Sequence, residues 1–96
     1  MVDVPRAAAT VRLTHQVGLH ARPSVSLTKR AKQFQARIEL ALQADGPWVD
    51  AKSIVKVMAT RAPQGALLHF RAEGEDADAA VRGLVALVEG NFETHD

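Results

Sequence analysis

Residues 36–42 read Ala36-Arg37-Ile38-Glu39-Leu40-Ala41-Leu42. Ala36, Ile38, Leu40 and Leu42 alternate with Arg37, Glu39 and Ala41, and a side-chain period of two puts the first set on one face of an extended chain and the second on the other. A strand patterned in this way buries one face and wets the other, so it belongs to an antiparallel sheet covered on one side only. The helices then have to gather on the covered side.

Upstream of this strand, Leu27, Ala31 and Phe34 recur at helical spacing across residues 21–34, with Ser26, Lys29, Arg30 and Gln33 as the wet face. Before the helix, residues 11–15 alternate as a half-buried strand, and Gln16-Val17-Gly18 turns the chain. Downstream, Asp45-Gly46-Pro47 is a turn and residues 48–51 form a short edge strand. Ser53 caps a brief helix that reaches Met58 or Ala59, which Arg61-Ala62-Pro63-Gln64-Gly65 then breaks.

A fourth strand occupies residues 67–72, and Glu75, Asp76 and Asp78 place negative charge in the first turn of a final helix, where the helix dipole favours it. Ala77, Val81, Leu84 and Val88 are its buried stripe and Gly90 its stop. Gly83 inside this helix costs about 1 kcal/mol relative to alanine, which burial of the stripe offsets. The order is β-α-β-β-α-β-α, an α+β fold with an antiparallel sheet and all helices on one face.

The chain of 96 residues suits one domain, 1–96, with residues 1–9 and 93–96 expected to be loose. Twelve Lys+Arg against 11 Asp+Glu leave a net charge of +1, so bulk electrostatics direct the protein neither to nucleic acid nor to anionic lipid. The absence of cysteine excludes disulfides and thiolate metal sites. Apolar stretches are too short to insert in a membrane, and the first nine residues lack the apolar segment of a signal peptide, which points to a cytoplasmic protein. No histidine has a convincing ligand spacing with a supporting carboxylate, so neither metal nor other cofactor is expected, and His15, His69 and His95 need no special role.

His20 is different. It stands in Gly18-Leu19-His20-Ala21-Arg22-Pro23, where a strand gives way to a helix. Backbone amides at a helix start, here those of Ala21 and Arg22, and a nearby guanidinium are groups that hold a phosphoryl oxygen. A neutral imidazole is the nucleophile such a group needs. Pro23 costs nothing there, because first-turn amides have no partner within the helix. Neither a Gly-rich phosphate loop nor a kinase signature is present, so a phosphoryl group would come from and go to other proteins.

These residues, together with a second block, Asp50-Ala51-Lys52-Ser53-Ile54-Val55-Lys56-Val57-Met58, make the chain similar to the HPr family. These are the histidine-containing phosphocarriers of the bacterial phosphoenolpyruvate-dependent phosphotransferase system. The resemblance runs from about Val11 to Phe92. It implies an open-faced β-sandwich with strand order 1-4-2-3, and a carrier rather than an enzyme. It implies that His20 takes phosphate on Nδ1 from enzyme I and passes it to an enzyme IIA, with Arg22 steadying the phosphate. It further implies a monomer that docks through Lys29, Lys32, Val55 and Lys56. Ser53, a preferred helix cap in any case, matches a position that a dedicated HPr kinase/phosphorylase modifies in lineages that carry one.

Three residues depart from the family pattern. Ser24 stands where a small apolar residue is usual, and either adds a hydroxyl near the phosphate or fits the first turn of the helix. Lys56 and Arg61 each replace a usual glycine, on or beside the docking face, which leaves open whether the protein serves sugar uptake or a nitrogen-type regulatory relay. A regulatory module of the same fold that binds a metabolite or protein without carrying phosphate is the reading from another class.

Overall fold

Alternation in the central strand translates into burial over most of its length: Ile38 and Leu40 are sealed in the core and Arg37 faces solvent, but Ala41, expected on the wet face, is buried and Leu42 only partly so. The computed structural model describes residues 4–16 and 18–92. Seven elements follow in the expected order: β1 (Arg6–Arg12), α1 (Ala21–Ala31), β2 (Arg37–Ala41), β3 (Val49–Asp50), α2 (Ile54–Ala59), β4 (Leu67–Glu73) and α3 (Ala77–Glu89). The strands form one sheet in the order β1-β4-β2-β3, antiparallel throughout. Register is continuous across it, with Glu73 of β4 opposite both Arg6 and Arg37.

On the inner face Val11, Ile38, Leu40, Leu68, Phe70 and Ala72 meet Leu27 and Ala31 of α1, Val57 of α2, and Ala77, Ala80, Val81, Leu84 and Val88 of α3 in one apolar cluster. The other face is uncovered and polar. Arg71 Nε donates to Glu39 at 2.8 Å, and its guanidinium lies 4.0 Å from the centre of the Trp48 ring. Thr10 hydrogen-bonds to His69 at 3.0 Å, which gives His69 a structural place on this face. Such exposed pairs order the face more than they stabilise it, at about 0–1 kcal/mol each.

The first strand lies earlier than its expected span of residues 11–15. It begins at Arg6, so residues 6–9, expected to be loose, are paired with β4. Ala7 and Ala9 point inward there, and alanine carries little strand signal. Leu13 is buried beyond the end of the strand and held by its amide to the Ala66 carbonyl at 2.8 Å, which explains why it looked like strand. Residues 93–96 lie outside those described.

Helix α1 stops at Ala31, short of the expected residue 34. Phe34 instead packs over α3 at Gly83, where a Cβ would come within 3.1 Å of its ring. Glycine thus makes room for an aromatic contact that offsets its low helix propensity. Gly90 caps α3 as expected, but the left-handed residues follow it, Asn91 at φ 56° and Phe92 at φ 63°.

Asp76, expected to serve the α3 dipole, does more. Its carboxylate accepts the amides of Gln35 at 2.8 Å and Ala36 at 2.7 Å, tying the α1–β2 turn to the start of α3. The Gln35 amide is the main reason its carboxyl sits below the ordinary range. Partial desolvation opposes this, while the Ala36 amide and the charge of Lys52 add to it. A carboxyl depressed on folding stabilises the fold above its unfolded value, about 3.9, and loses that contribution as pH falls through the folded value. Asp76→Asn is therefore expected to melt below wild type at neutral pH and to show a shallower acid decline, measured by thermal melts between pH 2 and 7.

Candidate functional site

The site begins with a clamp between two loops. Gly18, at φ +68°, donates to the His15 carbonyl at 3.1 Å, and a Cβ on it would lie 2.3 Å from the Ala62 carbonyl oxygen. The next amide, of Leu19, donates to that same oxygen at 2.9 Å, and the Leu19 side chain is buried. The loop after β1 is thereby fixed against the loop before β4.

His20 follows as the N-cap of α1, extended at φ −77° and ψ −173°. Its carbonyl accepts the Ser24 amide at 2.9 Å, which starts the helix. Its imidazole makes no capping hydrogen bond and is exposed. The amides of Ala21 and Arg22 lie in the first turn, where the helix offers them no carbonyl, and Pro23 has no amide. An anion at the imidazole therefore finds donors that folding has left uncommitted.

Ser24 is fully buried, and its hydroxyl donates to the Leu19 carbonyl at 3.2 Å. It braces the first turn, which settles its role against that of a hydroxyl beside phosphate.

His20 shares a surface recess with Gln16, Leu19, Met58, Arg61 and Gln64. Arg22 is exposed and lines a separate recess with His15, Ser26, Asn91 and Phe92, in which the His15 and Phe92 rings meet edge-on at 5.7 Å. The cation brought to the recess of His20 is thus Arg61, a residue whose φ of +52° is the kind that favours glycine.

Ser53 caps α2, its hydroxyl accepting the Lys56 amide at 3.3 Å, and it is half-buried. Lys29, Lys32 and Lys56 are exposed, as is Val55 at 74 %. Sequence reading missed that Val25, Ile54 and Met58 are exposed with them. The signal was present: α2 has six residues, and a helix so short that buries only Val57 cannot hide four large apolar side chains. Among the described residues no group of three or more His, Asp or Glu could hold a metal ion, and no helix is long and apolar enough to cross a membrane.

A family model described as the PTS HPr component phosphorylation site matches residues 7–90. The phosphocarrier protein HPr of Xylella fastidiosa is 38 % identical over 80 residues, covering 83 % of this chain and 88 % of that protein. The multiphosphoryl transfer protein of Vibrio cholerae is 44 % identical over 84 residues, which are 85 % of this chain and 21 % of that protein. The corresponding share of the Haemophilus influenzae multiphosphoryl transfer protein is 15 %. Among solved structures, HPr from Thermoanaerobacter tengcongensis superposes with a TM-score of 0.83 at 32 % identity, over 94 % of this chain and 99 % of that one.

The fold is the open-faced sandwich of the phosphocarrier proteins HPr. The chain belongs to the HPr family.

Because Gly18 combines a left-handed backbone with contact against Ala62, Gly18→Ala is expected to lose at least ~2 kcal/mol of stability in urea melts. The damage should spread in NMR spectra to the amides of residues 19–22, since the clamp carries His20.

Proposed function

We propose that the protein carries a phosphoryl group on His20. The observation that carries this reading is an exposed imidazole at the start of α1, directly before two first-turn amides that the helix leaves unpaired. In the transfer, a ring-nitrogen lone pair attacks phosphorus while the bond to the donor breaks, and the other ring nitrogen keeps its proton. The phosphoryl oxygens then accept from the amides of Ala21 and Arg22 and from the Arg22 guanidinium once it swings toward them. Onward transfer reverses these bonds.

The donor is enzyme I and the acceptor an enzyme IIA, both cytoplasmic, and the carrier acts as a monomer without cofactor. Val25, Ile54, Val55 and Met58 supply an apolar patch, and Lys29, Lys32 and Lys56 a basic surround, fitted to an acidic, partly apolar partner. Lys56 and Arg61 are where a sugar-type acceptor and a nitrogen-type regulatory acceptor would be told apart. Ser53 is the regulatory site for an HPr kinase/phosphorylase. A phosphate there adds negative charge at a helix start and beside the docking patch, changing partner binding and leaving the fold intact.

With phosphoenolpyruvate and the cognate enzyme I, wild type is expected to acquire an acid-labile, alkali-stable phosphate that His20→Ala does not. An unlabelled wild-type protein beside an active enzyme I would overturn the reading in favour of a binding module. Arg22→Ala should slow transfer roughly tenfold or more, the worth of one charge-assisted hydrogen bond, with its melting temperature close to wild type. Phosphorylation of Ser53 should leave the circular-dichroism spectrum unchanged while weakening binding of enzyme I, measured by calorimetry.

A further inference from the structure

We propose that Arg61, which lines the same recess as His20, is a second phosphate-binding cation that holds the phosphoryl group together with the start of α1. The inference rests on the reading of His20 as the phosphoryl acceptor and adds a residue that reading does not include.

Two independent observations carry it. The first is placement. Arg61 and His20 come from loops separated by the whole of α1, β2, β3 and α2, yet they line one recess. Of the side chains that line it, only these two bear a titratable or charged group. Their loops cannot drift apart, because the Leu19 amide is bonded to the carbonyl of Ala62, the neighbour of Arg61. The recess contains no carboxylate that would compete with an anion at His20 for the guanidinium.

The second is backbone strain. Arg61 sits at φ +52°, directly after the Thr60 cap of α2, and its amide donates to the Met58 carbonyl at 3.1 Å. A helix that ends in this way is ordinarily closed by glycine, and any other residue raises the cost of the turn. Strain of this sort, retained where a side chain opens onto a reactive group, marks a side chain kept for what it contacts. Arg61 makes none of the hydrogen bonds or ion pairs seen among the described side chains that would give it a structural duty in return.

With phosphate on the ring, the guanidinium donates to phosphoryl oxygens that the Ala21 and Arg22 amides do not reach. Phosphate is then gripped from both loops of the clamp. No bond is made or broken by Arg61; it favours the doubly ionised phosphoryl group over the singly ionised one.

The test uses the small-molecule donor phosphoramidate, so no partner protein is involved. Wild type, Arg61→Gly, Arg61→Ala and Arg61→Lys are phosphorylated on histidine, and the phosphoryl resonance is followed by ³¹P NMR as pH is varied. In the Gly and Ala variants the titration midpoint should rise by on the order of half a unit, the effect of removing one charge a few ångströms away in a wet recess. Lys should restore most of it.

Arg61→Gly should also melt above wild type, because glycine takes the left-handed turn freely, while Arg61→Ala keeps the strain. Midpoints that coincide in all four proteins would overturn the proposal even if the melting temperatures shift as expected. Failure of phosphoramidate to label His20 in wild type would instead remove the reading on which it rests. Midpoints that move in the Gly variant alone would assign the effect to the backbone and also overturn it.

Discussion

A single hydrogen bond, from the amide of Leu19 to the carbonyl of Ala62, joins the loop that leaves β1 to the loop that enters β4. The sheet makes it possible, because β1 and β4 are antiparallel neighbours and Arg12 stands opposite Leu67. The ladder is extended past its end by Leu13, whose amide and carbonyl pair with Ala66 and Gly65. Gly18 then lets the two backbones close, since any side chain there would strike the Ala62 oxygen. The setting of His20 follows from this closure: its extended backbone, the start of α1 directly after it, and the buried Ser24 that braces the first turn.

Much of this was legible in the sequence, for definite reasons. Alternation in residues 37–41 and the stripe Ala77, Val81, Leu84, Val88 are large, periodic signals, and both describe real buried faces. Ser53 as a cap and His20 at a strand-to-helix junction depend on nearest neighbours in the chain, which sequence displays. Strand β1 was misplaced because Ala7 and Ala9 pack by being small, and smallness leaves no periodic trace.

Long-range polar ties were invisible for another reason. Asp76 reaches back about forty residues to the Gln35 and Ala36 amides, and nothing local distinguishes it from an acidic residue serving a helix dipole. The same holds for Arg61 at the recess of His20. Its departure from a usual glycine could be noticed in the sequence, but the recess it shares with His20 emerges only when the clamp is closed. Gly83 was read as a small loss, and its purpose is the Phe34 ring that covers it.

The order β1-β4-β2-β3 leaves two sheet edges, and they are protected unequally. Strand β3 is only two residues long and offers an incoming strand almost nothing to pair with. Strand β1 is seven residues long, and its outer row of amides and carbonyls is a template on which another extended chain could continue the ladder. Pro5 precedes it, and Arg6 and Arg12 stand exposed at its two ends. Two copies meeting edge to edge in antiparallel register would bring these arginines together, and charge repulsion would oppose the pairing. The cations at the ends of β1 therefore make this edge a poorer template for strand pairing than its length alone suggests.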